Sequence, residues 1–435
     1  MKSYEADVLV VGGGPAGIGA AMAAARTGAK TVIVEQGGMF GGTWTQGLQN
    51  HVTCMHDHRK FVIRGIMLEI LNRLHKAGDA ENPEEKLKTN PRAWWVGFDP
   101  EGFKWLLDAM LLECGVKPLL HAFCMGALLE KGKADGAVIM SKSGRQEIHA
   151  KVTIDCSGDA DVAFHAGATT FKGREKDGRM QPVTTAFFLM NVDYAKANDY
   201  LKAHPGYLEQ CEKEARTAGK VNIPQKLWLG FPSIIPNATY HNITRILNVD
   251  ATGVEDLTRA EIEGRKQARQ MLDFYRKYIP GYENARILST GSHVGLRETR
   301  RIEGEYTLGA EDVMGCRTFE DAVACHAYYI DLHNPDGLGT EEGSSPDMHP
   351  EEGKFYQIPY RCLVPRKIDN LLVAGRCISA TRHGHGSTRT TACCTALGQA
   401  AGIAAALCVK DNIIPRRLPY TVLRRGLEKA DVFLG

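Results

Sequence analysis

Asp7-Val-Leu-Val-Val11 runs straight into Gly12-Gly-Gly14-Pro-Ala-Gly17, followed by the small-residue stretch Ile18–Arg26, then Lys30-Thr-Val-Ile-Val34 and Glu35. The first and last apolar runs are continuous blocks of β-formers, the pattern of parallel strands covered on both faces. Between them lie a glycine turn and a helix, so the segment predicts strand, turn, helix, strand and acid in register. Each part has a mechanical reason. Gly12 permits a tight turn, Gly14 lets backbone N–H groups approach a pyrophosphate, and Gly17 lets the helix pack closely on the sheet. The helix N-terminus, opened by Pro15 and Ala16, favours negative charge. Glu35, eighteen residues past Gly17, would accept hydrogen bonds from an adenosine ribose, with Gln36 beside it.

This motif alone serves NAD and FAD equally. Gly37-Gly-Met-Phe-Gly-Gly42-Thr43 then adds a second glycine-rich loop just past Glu35, placed where flavoproteins wrap the ribityl and pyrophosphate. No second G-x-G-x-x-G follows along the chain, which argues against a dedicated NAD(P)H domain and for FAD.

The bulk properties narrow the class. The chain has 435 residues, 43 % apolar, enough for two interleaved domains. Lys and Arg number 53 against 51 Asp and Glu, a net of +2. That balance offers no electrostatic footprint for nucleic acid or an anionic membrane. The twelve cysteines contain no C-x-x-C, so neither a zinc knuckle nor an iron–sulfur ligand run is visible, and buried, reduced thiols are expected. No signal-peptide pattern opens the chain, and the apolar stretches at Ile18–Ala25 and Ala400–Val409 read as too short to span a bilayer. The expectation is a soluble, cytoplasmic protein.

Two further elements return towards the turn. Ile154-Asp-Cys-Ser-Gly158-Asp159-Ala-Asp161 is a strand ending in a Gly/Asp turn, and Asn370-Leu-Leu-Val-Ala-Gly375-Arg376 is another buried strand ending in glycine. His383-Gly-His385-Gly-Ser-Thr-Arg389 and a helix containing Ala396-Leu-Gly398-Gln-Ala400-Ala401-Gly402 follow. With Val294–Gly304 and Ile358–Pro365, these blocks resemble the FAD-dependent oxidoreductases related to fumarate reductase and succinate dehydrogenase flavoproteins, and to the flavin domain of heterodisulfide reductase.

The resemblance implies an α/β fold: a Rossmann-like FAD-binding domain of the two-dinucleotide-fold type, with an interleaved α+β substrate cap. The FAD-binding domain would take residues 1–172, 290–318 and 356–435, and the cap 173–289 and 319–355. FAD would lie extended with its isoalloxazine between the domains. Gly375 and Arg376 would approach the flavin end, and the backbone at Ala400–Ala401 would stabilise charge on the reduced pyrimidine.

Candidate chemistry gathers at Arg382–Arg389. In fumarate reductase relatives a His-Gly-x-x-Arg element holds a substrate carboxylate, and His385-Gly-Ser-Thr-Arg389 has that spacing. An arginine fork binds an oxyanion bidentately, and a near-neutral histidine passes a proton while hydride moves. His383 is a further catalytic candidate, at a place where relatives carry an acid. The alternative is that Arg389 pairs with the FAD pyrophosphate and His385 caps the next helix. Arg297, Arg300 and Arg301 form a second basic group that either reaches the substrate or pairs with Glu298, Glu303 or Glu305. Asn242 and Arg245 are cap candidates. His51, Cys54, His56 and His58 suggest metal ligation, but no complete ligand set accompanies them. Proximity to the flavin is favoured, with covalent attachment through His51 or His56 an option.

The expected function is hydride transfer between FAD and a small polar substrate, with an unidentified electron acceptor or donor. One alternative is an electron-transfer flavoprotein working with iron–sulfur partners. A non-redox, RNA-modifying flavoprotein is another, disfavoured by the charge balance. A homo-oligomer is compatible with the sequence.

Overall fold

The computed structural model describes residues 3–341, 344 and 350–435. Its centre is the strand Ser3–Val11, which pairs in parallel with Thr31–Val34 on one side and Gly144–Asp155 on the other. Lys117–Leu119 extends the sheet beyond Thr31–Val34, and Leu371–Val373 lies beside the end of Gly144–Asp155, both parallel. The antiparallel hairpin Phe123–Glu130 and Lys133–Ser141 completes the far edge. Val8 and Val10 face one core, while Leu9 and Val11 face a second. That two-sided burial explains the unbroken apolar run.

The chain leaves Ser3–Val11 towards Thr31–Val34 and leaves Gly144–Asp155 towards Leu371–Val373 on the other side, so the sheet is wound in opposite directions from these two strands. The loops at the carboxyl ends of these strands therefore splay apart and open a crevice, the usual ligand position in open parallel sheets.

Helix Pro15–Arg26, at the glycine turn, packs on the long helix Thr391–Asp411. Small residues bring the two backbones together. A Cβ at Gly398 would overlap the carbonyl oxygen of Ala16, and one at Gly402 that of Ala20. The long helix corrects the expectation from Ala400–Val409. It has 21 residues at a mean hydropathy of 1.7, long and apolar enough to cross a bilayer, yet 89 % of that window is buried inside the protein. It is the core helix of this lobe.

The second lobe is an antiparallel sheet in the order Phe231–Pro232, Ala238–His241, Phe187–Met190, Arg286–Thr290. Helices Tyr194–Ala203, Tyr207–Thr217 and Val254–Tyr278 belong to the same stretch of chain. Phe187, Leu189, Met271, Leu272 and Tyr275 bury together in its core.

One boundary moves. Strand Ala322–His326 pairs with Tyr356–Pro359, and Val323, Ala324, Ile330 and Leu332 join the core of the nucleotide lobe. Residues 322–332 thus pack with that lobe, because their apolar side chains complete its core; the stretches 342–343 and 345–349 of the expected cap lie outside the described residues.

Candidate active site

A cavity of about 1430 Å³ opens at the carboxyl ends of the parallel strands and runs between the lobes. Ordinary small-molecule sites hold roughly 300–1,000 Å³, so this one has room for an extended dinucleotide and a second molecule.

The nucleotide end is made mostly of backbone. Gly12, Gly14, Pro15 and Ala16 line it from the first turn, and Gly42 and Thr43 from the second. Gly12 has φ +102°, and a Cβ there would overlap Cys156 O. Gly17 does not line the cavity; a Cβ there would overlap Gly12 O, so its role is packing. A Cβ at Gly14 would meet nothing nearer than Gly42 Cα at 4.0 Å, so a side chain there would project into the cavity. Helix Pro15–Arg26 has no side-chain cap, which leaves its N-terminal dipole available to an anion.

Glu35 and Gln36 line the same end. The buried Glu35 carboxylate accepts from Gly13 N at 2.8 Å, Gly37 N at 2.7 Å and Gln46 Nε2 at 3.2 Å. Both glycine loops are thereby pinned to the acid that would meet a ribose. Across the cleft, Gly158, Asp159, Gly375 and Arg376 line the wall. Arg376 Nη2 donates to Asp159 Oδ1 at 2.6 Å, and Thr299 Oγ1 donates to the same oxygen at 2.7 Å, which ties the two strand-end loops together. An uncapped helix, an open glycine and a buried acid at ribose distance along the chain fit FAD's adenosine and pyrophosphate.

Ala400 and Ala401 are a correction. They lie well inside the long helix, fully buried, and do not touch the cavity. Thr390, Thr391 and Cys394, at that helix's N-terminus, line the cavity instead. Any dipole stabilisation of an anionic group comes from this end, because the effect fades within the first turn.

The other end of the cavity is made of side chains. Arg389 Nη2 donates to Asp331 Oδ2 at 2.7 Å and to Asp331 O at 3.0 Å. Arg297 Nη1 donates to Pro182 O and to Thr184 Oγ1, each at 2.7 Å. Burial and the neighbouring Arg389 charge lower the Arg297 pKa to about 9. His333 stands 3.5 Å from Asp331 Oδ1 through Nε2, and its Nδ1 lies 3.3 Å from Arg245 Nη1. Arginine only donates, so Nδ1 accepts and Nε2 carries the proton. Burial and the Arg297 charge hold this imidazole well below its usual pKa, and it is neutral.

Arg245 supports this end from behind, donating to Asn334 O at 2.8 Å and Gly339 O at 2.9 Å. Asn242 lines the cavity. Arg300 pairs with Asp161 at 3.0 Å, and Arg301 with the fully buried Glu298 at 2.8 Å. Of that basic triplet, Arg297 alone lacks a carboxylate partner among the described residues.

Two histidines of the expected set fall elsewhere. His383 is exposed on helix Arg382–Thr388 and does not line the cavity. His385 is 1 % exposed, and neither ring nitrogen has a protein partner. Burial, reinforced by the charges of Arg301, Arg389, Arg376 and Arg382, keeps it neutral. It neither caps a helix nor reaches the cavity. His385 sits in the body of a helix that ends at Thr388, whereas Arg389 is its C-cap residue and reaches Asp331.

His51 lines the cavity in edge-on contact with Tyr240, ring centroids 5.6 Å apart, and burial lowers its pKa to about 4. Cys54 and His56 are buried and, like His58, do not line the cavity. Among the described residues no group of three His, Cys, Asp or Glu is placed to hold a metal ion.

Residues 7–427 match the family described as FAD dependent oxidoreductase. The chain belongs to that family. FAD is therefore its cofactor, and this oxidoreductase is an enzyme. Among curated relatives, it is 29 % identical over 173 residues to thiamine thiazole synthase of Methanococcus aeolicus, covering 38 % of this chain and 59 % of that protein. It is 28 % identical over 170 residues to digeranylgeranylglycerophospholipid reductase of Thermoplasma volcanium, covering 36 % and 40 %. The match spans less than two thirds of either relative's length. Among solved structures, a geranylgeranyl bacteriochlorophyll reductase-like protein from Thermoplasma acidophilum superimposes with a TM-score of 0.49 at 15 % identity, over 98 % of this chain and 83 % of that one. An L-proline dehydrogenase from P. horikoshii gives 0.42 at 12 %, over 99 % and 98 %.

Proposed function

We propose that this FAD-dependent oxidoreductase transfers hydride between its flavin and a small organic acid held by Arg389 and Arg297. The observation that carries this is the pairing, in one cavity, of a dinucleotide-binding end with a cationic end. FAD when bound supplies the two-electron chemistry; the chain's own residues bind and orient the acid.

Arg389, braced by Asp331, presents a fixed fork, and Arg297 adds a second, desolvated donor set. Two arginines facing one acid leave a net positive charge that an oxyanion neutralises. His333, with its proton on Nε2 towards Asp331 and its Nδ1 accepting from Arg245, holds these charged groups in place; it is a positioning residue and does not take over the proton-exchanging role first expected of His385. Kinship with fumarate reductase and succinate dehydrogenase flavoproteins, and with the flavin domain of heterodisulfide reductase, belongs to this proposal. Arg389 of the His385–Arg389 element supports it, and the buried His385 limits it. Electrons would be exchanged with an acceptor or donor still to be identified.

The test is anaerobic bleaching of the bound flavin by a panel of organic acids and their neutral analogues, in the wild type and in Arg389→Ala, Arg297→Ala and His333→Gln. Bleaching by an acid and not by its amide, lost in the arginine variants with FAD retained, is the expected result. Bleaching that is indifferent to both arginines would sink the proposal.

A further inference from the structure

The cationic floor is roofed by rings. Trp94, Trp95, Phe231, Tyr240, Tyr328 and Tyr329 all line the cavity. Phe231 and Tyr240, from neighbouring strands of the second lobe, stack at 6.2 Å with planes 27° apart, and Trp95 meets Phe231 at 5.9 Å. Tyr328 packs against Tyr329 at 4.4 Å and Trp94 at 6.3 Å. These rings line the same cavity as Arg297, Arg389 and Asp331.

Such a lining suits flat apolar matter, because ring pairs attract one another beyond the area they bury. Aromatic walls also attract cations, but Arg297 and Arg389 against Asp331 leave this floor positive, and Arg245 adds to it from behind. A cationic guest is excluded by that charge. A short aliphatic acid would satisfy the arginines and leave the rings unused.

We propose that the substrate is an aryl carboxylate, its ring between the Phe231–Tyr240–Trp95 wall and Tyr328–Tyr329, its carboxylate on Arg297 and Arg389. This assignment rests on the acid-binding role proposed above and adds the chemical class of the acid.

The experiment uses the FAD-loaded protein and four probes: benzoate, cyclohexanecarboxylate, acetate and benzyl alcohol. Binding is measured by calorimetry and by tryptophan fluorescence, to which Trp94 and Trp95 at the cavity contribute among five tryptophans. Benzoate is expected to bind at least about tenfold tighter than each of the other three. Phe231→Ala should remove its advantage over acetate, and Arg297→Gln its advantage over benzyl alcohol. Trp95 is 40 % exposed, so Trp95→Ala serves as the second variant if Phe231→Ala does not fold. Acetate or cyclohexanecarboxylate matching benzoate overturns this inference and leaves the acid-binding role standing. Failure of every acid to bind overturns both. Loss of FAD, with the preference among acids intact, in Phe231→Ala or Trp95→Ala would assign the rings to the cofactor and overturn it too.

Discussion

The two ends of the cavity are built from different materials. At the nucleotide end the contacts are glycine backbone, one uncapped helix and a buried acid, all within residues 12–43 and two strand ends. At the other end they are arginine, acid and ring side chains from segments far apart in the chain, brought together by both lobes. The first kind of surface binds a constant ligand whose phosphates need close approach and N–H dipoles. The second can be altered residue by residue without touching the sheet, which is how one fold comes to serve many substrates.

The largest expected effect attacks the nucleotide end alone. Gly14 has an extended backbone and open space before it. Gly14→Val should therefore fold, with a melting temperature within about 5 °C of wild type, since about 1 kcal/mol moves it by only a few degrees. It should weaken FAD binding by at least about 100-fold, or 2.7 kcal/mol, measured by flavin fluorescence. Unimpaired FAD uptake would break the distinction between the two ends.

Next comes Arg389→Ala. Removing Arg389 takes away the closest cation of a mostly buried Asp331, which keeps His333 at 3.5 Å, a loss of about 1–3 kcal/mol, visible in urea unfolding. Arg389→Ala with Asp331→Ala should recover part of that stability but not substrate-driven bleaching. Recovery of bleaching would move the substrate away from this pair.

A pH dependence also separates the two ends. Burial, with Asp159 and Asp155 nearby, raises the Asp161 pKa from 3.8 to about 7. Between those values the unfolded chain gives up this proton while the folded apoprotein keeps it, so stability falls as pH rises through that window. Asp161→Asn should remove that slope: relative to the variant, the apoprotein should lose stability from pH 4 to 7 and lose no more above it. Thermal melts at each pH check this, and parallel curves would refute it. Smallest of all is His383→Ala, on an exposed side chain, which should shift stability by no more than about 0.5 kcal/mol and leave bleaching rates unchanged.

The same contrast explains what could be read from the chain. Gly12, Gly14, Glu35, Gly158 and Gly375 were legible because a tight turn, a close approach and an acid at fixed spacing each demand one residue type. Arg297 and Arg389 were legible as cations at suggestive offsets. Asp331 and His333 were not, although Tyr329, Asp331 and His333 alternate with the buried Ile330 and Leu332. That alternation marks an extended segment with one face in the core, and it was hidden in a stretch whose patterning reads as cap. The ring lining could not be read at all, since Trp95, Phe231 and Tyr328 come to one cavity only through the fold. His385 and Ala400–Ala401 were misplaced for one reason: a motif gives residue spacing, but where a helix starts and ends decides which of its residues face the cavity. His385 lies before that helix's end and Ala400 well past the next one's start.

The central claim is that one cavity holds FAD and an acid side by side, the acid on Arg389. Titrating benzoate into the FAD-loaded protein and recording the visible flavin spectrum tests it most directly. A saturable spectral shift, with FAD retained and the shift abolished in Arg389→Ala, is the predicted result. Release of FAD by benzoate, or a shift that survives without Arg389, would contradict it.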